Sequence, residues 1–145
     1  MPQNKISILP YILIALSFIG IADTLYLSYF AYLNVVPGCA IGGCEVVLTS
    51  AYSKFFGVPL AYIGLVYYVY MVALCVLLAA DESSKTLRFA TFAYAGIGVL
   101  LSVYFEFYIQ GTLIGAYCMY CAISALTTLA LACVAGWRWR KKVPA

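Results

Sequence analysis

Polar residues interrupt this chain rarely, and they divide it into long apolar runs. One run extends from position 6 to about 33 with a single charge, Asp23, and a second fills the gap between Lys54 and Asp81. A third spans 89 to about 109 with Glu106 near its end, and a fourth, from about 116 to 137, carries no charge. At about 1.5 Å of rise per residue, about 22 residues reach about 33 Å, enough to cross a hydrocarbon core of about 30 Å. The pattern predicts an all-α integral membrane protein, a bundle of four transmembrane helices over about 8–31, 57–80, 88–109 and 116–137. A loop over about 34–55 separates the first two spans, and the chain reads as one domain, 1–145.

Composition agrees. Of 145 residues 66% are hydrophobic and 9% charged, against about 45–50% and about 25% in soluble domains. Four spans leave no room for a sizeable soluble domain. Eight basic against five acidic residues give a net charge of +3, too weak a bias to suggest nucleic acid as a partner. With no histidine, a Ser-His-Asp triad, a Cys-His dyad and an imidazole metal site are excluded. Thiols, a few carboxylates and tyrosines remain for chemistry.

An even number of spans places both termini on one side. Lys5, Lys85, Arg88, Arg138, Arg140, Lys141 and Lys142 lie at the termini and in the second loop, against Lys54 alone in the other loops. Basic residues favour the cytoplasm, so the first loop and the short third loop, about 110–115, are expected outside it, where disulfides persist. The first run exceeds the 7–15-residue core of a signal peptide and shows no convincing cleavage site, so it is expected to remain as a span. Trp137 to Lys142 reads as an interfacial anchor.

The six cysteines divide unevenly. Cys39 and Cys44 lie in the first loop, and Cys118 and Cys121 form a C-x-x-C at the start of the fourth span. All four therefore belong to one membrane face. Cys75 and Cys133 fall inside spans and are expected to be small buried hydrophobes. Two pairs on one face suggest a relay, since thiol–disulfide exchange passes two electrons from pair to pair. Cys44 follows two glycines and is expected to open a short helix over 45 to about 55, with Cys118 in the first turn of the fourth span. Helix-start N–H groups favour the attacking thiolate. Three residues apart, Cys118 and Cys121 share a helix face, the second about 4.5 Å deeper. A reaction ending inside a membrane needs a lipid-soluble electron carrier, and with no haem, flavin or iron–sulfur motif visible this points to a quinone. Two static disulfides, or a four-thiolate zinc site, in a non-enzymatic scaffold are the alternatives. An oxidising compartment and the membrane-edge position argue against zinc, and no metal is expected.

The segment from Cys44 to Ser53, the stretch from Phe56 to Gly64, and Gly115 to Cys121 together resemble prokaryotic members of the vitamin K epoxide reductase family. The resemblance implies a four-helix bundle around a quinone of the ubiquinone or menaquinone type, with an extracytoplasmic half-helix capping the pocket. It implies that Cys121 lies next to the quinone and that its partner Cys118 exchanges with Cys44. Cys39, paired with Cys44, would take electrons from a thioredoxin-like protein, a separate molecule since none is fused within this sequence. Val47, Leu48, Ser50, Tyr52, Ser53 and Phe56 are the quinone-side residues it suggests. It also implies disulfide formation outside the cytoplasm of a bacterial or archaeal cell. Ser53 and Ala125 stand where animal members carry an asparagine and a tyrosine toward the quinone, which favours ordinary quinone reduction over epoxide reduction. Asp23 and Glu106, in the outer halves of their spans, are either proton-exchanging groups or carboxyls that fix helix packing.

Overall fold

The computed structural model describes residues 7–40 and 42–140. Lys5, Lys141 and Lys142 of the charge tally lie outside the described residues. Among the described residues, four helices are long and apolar enough to cross a membrane: α1 (Leu9–Leu33), α3 (Leu60–Ala80), α4 (Lys85–Val103) with the π-helix that continues it (Tyr104–Ile114), and α5 (Met119–Arg140). The short α2 (Cys44–Thr49) sits between α1 and α3. α1 packs against α3 and α5, and α4 against α5 and α3. The protein is a four-helix membrane bundle.

Small and hydroxylated residues mark the inward faces. On α1, Ser17, Thr24 and Ser28 are buried, and their hydroxyls donate to the carbonyls of Leu13, Gly20 and Thr24 at 2.8, 2.7 and 2.6 Å. Their polarity is thus spent within their own helix, so they can face a dry interior at little cost. Leu13, Tyr68, Met71, Cys75, Leu78, Ala95, Leu131 and Ala135 form the core. The Tyr67 and Tyr94 rings stack at 4.7 Å, and each hydroxyl donates to the other residue's carbonyl at 3.2 Å, which staples α3 to α4. At the end opposite the four clustered cysteines, Arg138 pairs with Glu82 at 3.6 Å and donates to the Ser7 hydroxyl at 3.0 Å, while Arg88 donates to the Arg138 carbonyl.

Five expectations need correction. The short helix expected to reach about 55 stops at Thr49, because Ser50 turns extended (φ −69°, ψ 159°). A 3₁₀ turn (Ala51–Ser53) follows, and then β1 (Lys54–Phe55) pairs with β2 (Val58–Pro59). Phe56 and Gly57 join those strands with φ of 50° and 82°, the two successive positive values that a tight hairpin requires, so the second span begins at Leu60 rather than 57. The third span does not end near 109: it continues as the π-helix to Ile114, and the expected loop shrinks to 115–118. Gly115, at φ 72°, donates its N–H to the Gln110 carbonyl at 2.8 Å and ends that helix, so α5 starts at Met119 rather than 116. Finally, Cys75 is buried as expected, whereas Cys133 is exposed on the outer surface of α5, where lipid suits an apolar thiol.

The Tyr68 ring lies directly over Gly20, where a Cβ would collide with it, and its hydroxyl is held by the Ser124 carbonyl and hydroxyl at 3.0 and 2.9 Å. Gly20→Ala should therefore lower stability by about 1–3 kcal/mol, the usual cost of overpacking. Gly96, which has open space around it, should accept alanine without loss. Thermal unfolding in detergent, followed by helical circular dichroism, checks both.

Candidate active site

The four cysteines gather where α2 meets the start of α5. Gly43 supplies the approach: its φ of 117° suits glycine, and a Cβ there would press on the Tyr117 carbonyl oxygen. Directly after it, Cys44 opens α2, fully buried and joined by a disulfide to Cys39 with 6.0 Å between their Cα atoms. Cys44, Val47 and Cys118 form one buried cluster, with Cys39, Leu48, Tyr120 and Cys121 packed against it. The Tyr120 hydroxyl donates to the Gly38 carbonyl at 2.7 Å and its ring meets Tyr26 at 5.4 Å, which holds the loop to α5 and α1.

An α-helix opens with four N–H groups that its own carbonyls cannot reach. In α5 these belong to Cys118, which precedes the helix, and to Met119, Tyr120 and Cys121. Cys118 N–H donates to Gln110 Oε1 at 2.9 Å, and Met119 N–H donates to Cys44 Sγ at 3.3 Å. The N–H groups of Tyr120 and Cys121 serve Cys118 Sγ, as they would serve the oxygen of a serine in that capping position. Cys118 and Cys121 are free thiols, the first fully buried and the second half-buried.

These contacts favour the thiolate of Cys118. Its thiol is lowered from the ordinary 9.0 to about 7, chiefly by the hydrogen bond from the Cys121 thiol. The two backbone N–H groups add to this, while burial and the negative charge of Glu106 oppose it. An open cavity of about 360 Å³ lies on the loop side of the cluster, lined by Val36, Pro37, Gly38, Cys39, Gly42, Gly43 and Glu45. It borders Cys39, the sulfur farther along the loop.

Of the residues suggested for the quinone side, Val47 and Leu48 lie with the cysteines. Ser50 and Ser53 donate their hydroxyls to the carbonyls of Val47 and Ser50 at 2.7 and 2.8 Å. Tyr52 is exposed, and Phe56 stands at the hairpin tip, 92% exposed. Asp23 Oδ2 is buried without a hydrogen-bond partner among the described residues, and its charge acts on Cys121 and Tyr120. Glu106 is tied to Gln110 at 3.0 Å. Sequence reasoning missed Gln110 and the Met119 N–H. For Gln110 the available signal was an amide four residues after a carboxyl inside an apolar run. No group of three or more candidate metal ligands occurs among the described residues.

A family model described as the vitamin K epoxide reductase family matches residues 11–135. The chain belongs to the vitamin K epoxide reductase family. The thiol-disulfide oxidoreductase LTO1 of Arabidopsis thaliana is 37% identical over 116 residues, covering 75% of this chain and 31% of its own length. The chain thus spans about a third of that relative. For this member of the vitamin K epoxide reductase family, a membrane redox function is supported by the family and by the relative together.

Two outcomes test the site. Alkylation of Cys118 in the reduced protein should be half-maximal near pH 7. Because the Cys121 thiol is the largest lowering influence, Cys121→Ala should move that midpoint upward, as mass spectrometry of the labelled peptide reads directly. Gly43→Ala, by contrast, should separate Cys44 from the start of α5 and reduce the yield of a Cys44–Cys118 cross-link.

Proposed function

We propose that the chain is a single transmembrane domain that oxidises a thioredoxin-like protein outside the cytoplasm and passes the electrons to a membrane quinone. The observation that carries this reading is the sharing of α5's first turn by sulfurs of both cysteine pairs. A disulfide on the loop side and a dithiol on the membrane side, in contact, are two stations of one exchange chain. The relative's printed activity, thiol–disulfide oxidoreduction, is of the same class.

In the proposed sequence a thiolate of the protein substrate attacks Cys39, reached through the outer cavity. The Cys39–Cys44 bond breaks and Cys44 leaves as a thiolate, stabilised by the Met119 N–H and the start of α2. The substrate's second thiol then attacks its own mixed disulfide, which frees Cys39 and completes the substrate's oxidation. Cys44 next attacks the Cys118–Cys121 disulfide at Cys118, the sulfur that shares its buried cluster, and Cys121 leaves as the thiolate. Cys39 resolves that bond and restores the loop disulfide, leaving Cys118 and Cys121 as the dithiol. That dithiol returns to a disulfide as two electrons and two protons reduce one quinone to quinol. Cys121 is the residue assigned to face the quinone: it is half-buried, and one turn on, the Ser124 and Tyr68 hydroxyls meet at 2.9 Å.

The orientation follows from charge. Lys85, Arg88, Arg138 and Arg140 lie at the end away from the four clustered cysteines, which supports a cytoplasmic position for that end and an extracytoplasmic one for the redox pairs.

The experiment is anaerobic mixing of the reduced protein with a ubiquinone or menaquinone analogue, with quinol read optically. Wild type should yield quinol. Cys121→Ala should yield none with any thiol donor, and full activity in that variant would overturn the relay. Cys39→Ala should lose electrons from a thioredoxin-like donor yet retain turnover with a small dithiol.

A further inference from the structure

Gln110 is 3% exposed and takes no part in the relay. A carboxamide buried among apolar helices is costly unless both its ends are paired. Here they are: Oε1 accepts the Cys118 N–H at 2.9 Å, and Nε2 donates to Glu106 Oε1 at 3.0 Å. The residue's backbone carbonyl also accepts the Gly115 N–H that closes the π-helix. Gln110 therefore joins the end of one span to the start of the next at the reactive thiol.

We infer that Gln110 is a positioning residue for Cys118, a clasp that fixes the start of α5 and holds the Glu106 carboxyl at a set place beside the thiol. The inference rests on the reading of Cys118 as the thiol that exchanges with Cys44. By taking the Cys118 N–H, Gln110 fixes the backbone from which the remaining three donors reach sulfur. Without it that N–H is orphaned, the residue can rotate, and Cys118 Sγ leaves the N–H groups of Tyr120 and Cys121. Glu106 has the opposite electrostatic sense, because its negative charge disfavours a thiolate at Cys118. The groups facing Cys118 are Glu106 from the π-helix, Cys44 from α2, and Tyr120 and Cys121 from α5, with Asp23 of α1 acting on the last two.

The test starts from a Cys39→Ala/Cys121→Ala parent, which leaves one member of each pair. Diamide accepts the two electrons and two protons as Cys44 and Cys118 join in a disulfide, and the rate of that cross-link is measured. In otherwise wild-type reduced protein, the pH midpoint of Cys118 alkylation is measured alongside. Gln110→Met, which keeps length without the amide, should slow cross-linking about tenfold at pH 7 and raise the alkylation midpoint by about one pH unit. Glu106→Gln keeps an oxygen for Gln110 and removes the charge, so it should lower the midpoint. Rates and midpoints unchanged in Gln110→Met, or shifts of the same sign in both variants, would overturn the clasp. Failure of the parent to cross-link would overturn the relay instead, and the alkylation midpoints would then decide the clasp alone. If Gln110→Met does not fold, hydrogen exchange at the Cys118 amide decides. It should quicken at least about tenfold in Glu106→Leu, which takes away the acceptor of Gln110, and unchanged exchange there overturns the inference.

Discussion

The unsatisfied N–H groups at the start of α5 are the constraint on which the site depends. A helix start at a membrane edge has little water to satisfy it, so each of its four donors needs an acceptor from the protein. One goes to an amide oxygen and three go to sulfur. Cys118 thus caps its own helix, and the loop disulfide is drawn against the same turn. An ordinary serine or aspartate would meet the capping requirement as well. A cysteine meets it while keeping an ionisable nucleophile.

The rest of the bundle serves to keep that turn in place. Gly43 lets the loop come close, Tyr120 ties it down at Gly38, and the π-helix brings Gln110 under the Cys118 amide. A π-turn widens the helix and shifts the facing of the residues that follow, and such a shift falls in the segment that ends at the site. Farther in, the Tyr68 ring fills the notch left by Gly20 and reaches Ser124 on α5. α1, α3 and α5 are therefore locked together one turn below Cys121. Packing of small residues, rather than hydrophobic exclusion, has to supply this lock, because lipid is as apolar as the helix faces.

The four spans were legible because charges stop apolar runs, and the gathering of four cysteines because a C-x-x-C and a loop pair share one side. Helix ends were less legible. The stop at Thr49 depends on the backbone turn at Ser50 and the Phe56-Gly57 hairpin, whose signals are local and short. The continuation to Ile114 depends on i→i+5 bonding, which an apolar periodicity does not distinguish from an α-helix. Cys133 looked equivalent to Cys75 because a uniformly apolar helix gives no sequence signal for which face meets lipid. Gln110 was hidden for a different reason: its Glu106 partner lies at an ordinary i, i+4 helix spacing, and its link to the site is a backbone N–H eight residues on, which no side chain in the sequence marks.

For the proposed relay, the shared helix turn bears on how exchange proceeds. As electrons pass from the loop pair to the membrane pair, Cys44 is the attacking thiolate of the first exchange and Cys118 the leaving thiolate of the second. Both sulfurs already lie on N–H groups of consecutive residues in one helix start. The thiolate that opens the transfer and the one that closes it are therefore held by the same fixed donors, which need no reorganisation between the two. The chain has no histidine to act as an alternative base, so the Cys121 thiol and these fixed donors are the groups that favour the thiolate of Cys118. A helix terminus and a neighbouring thiol together do for Cys118 what an imidazole does in other thiol chemistry.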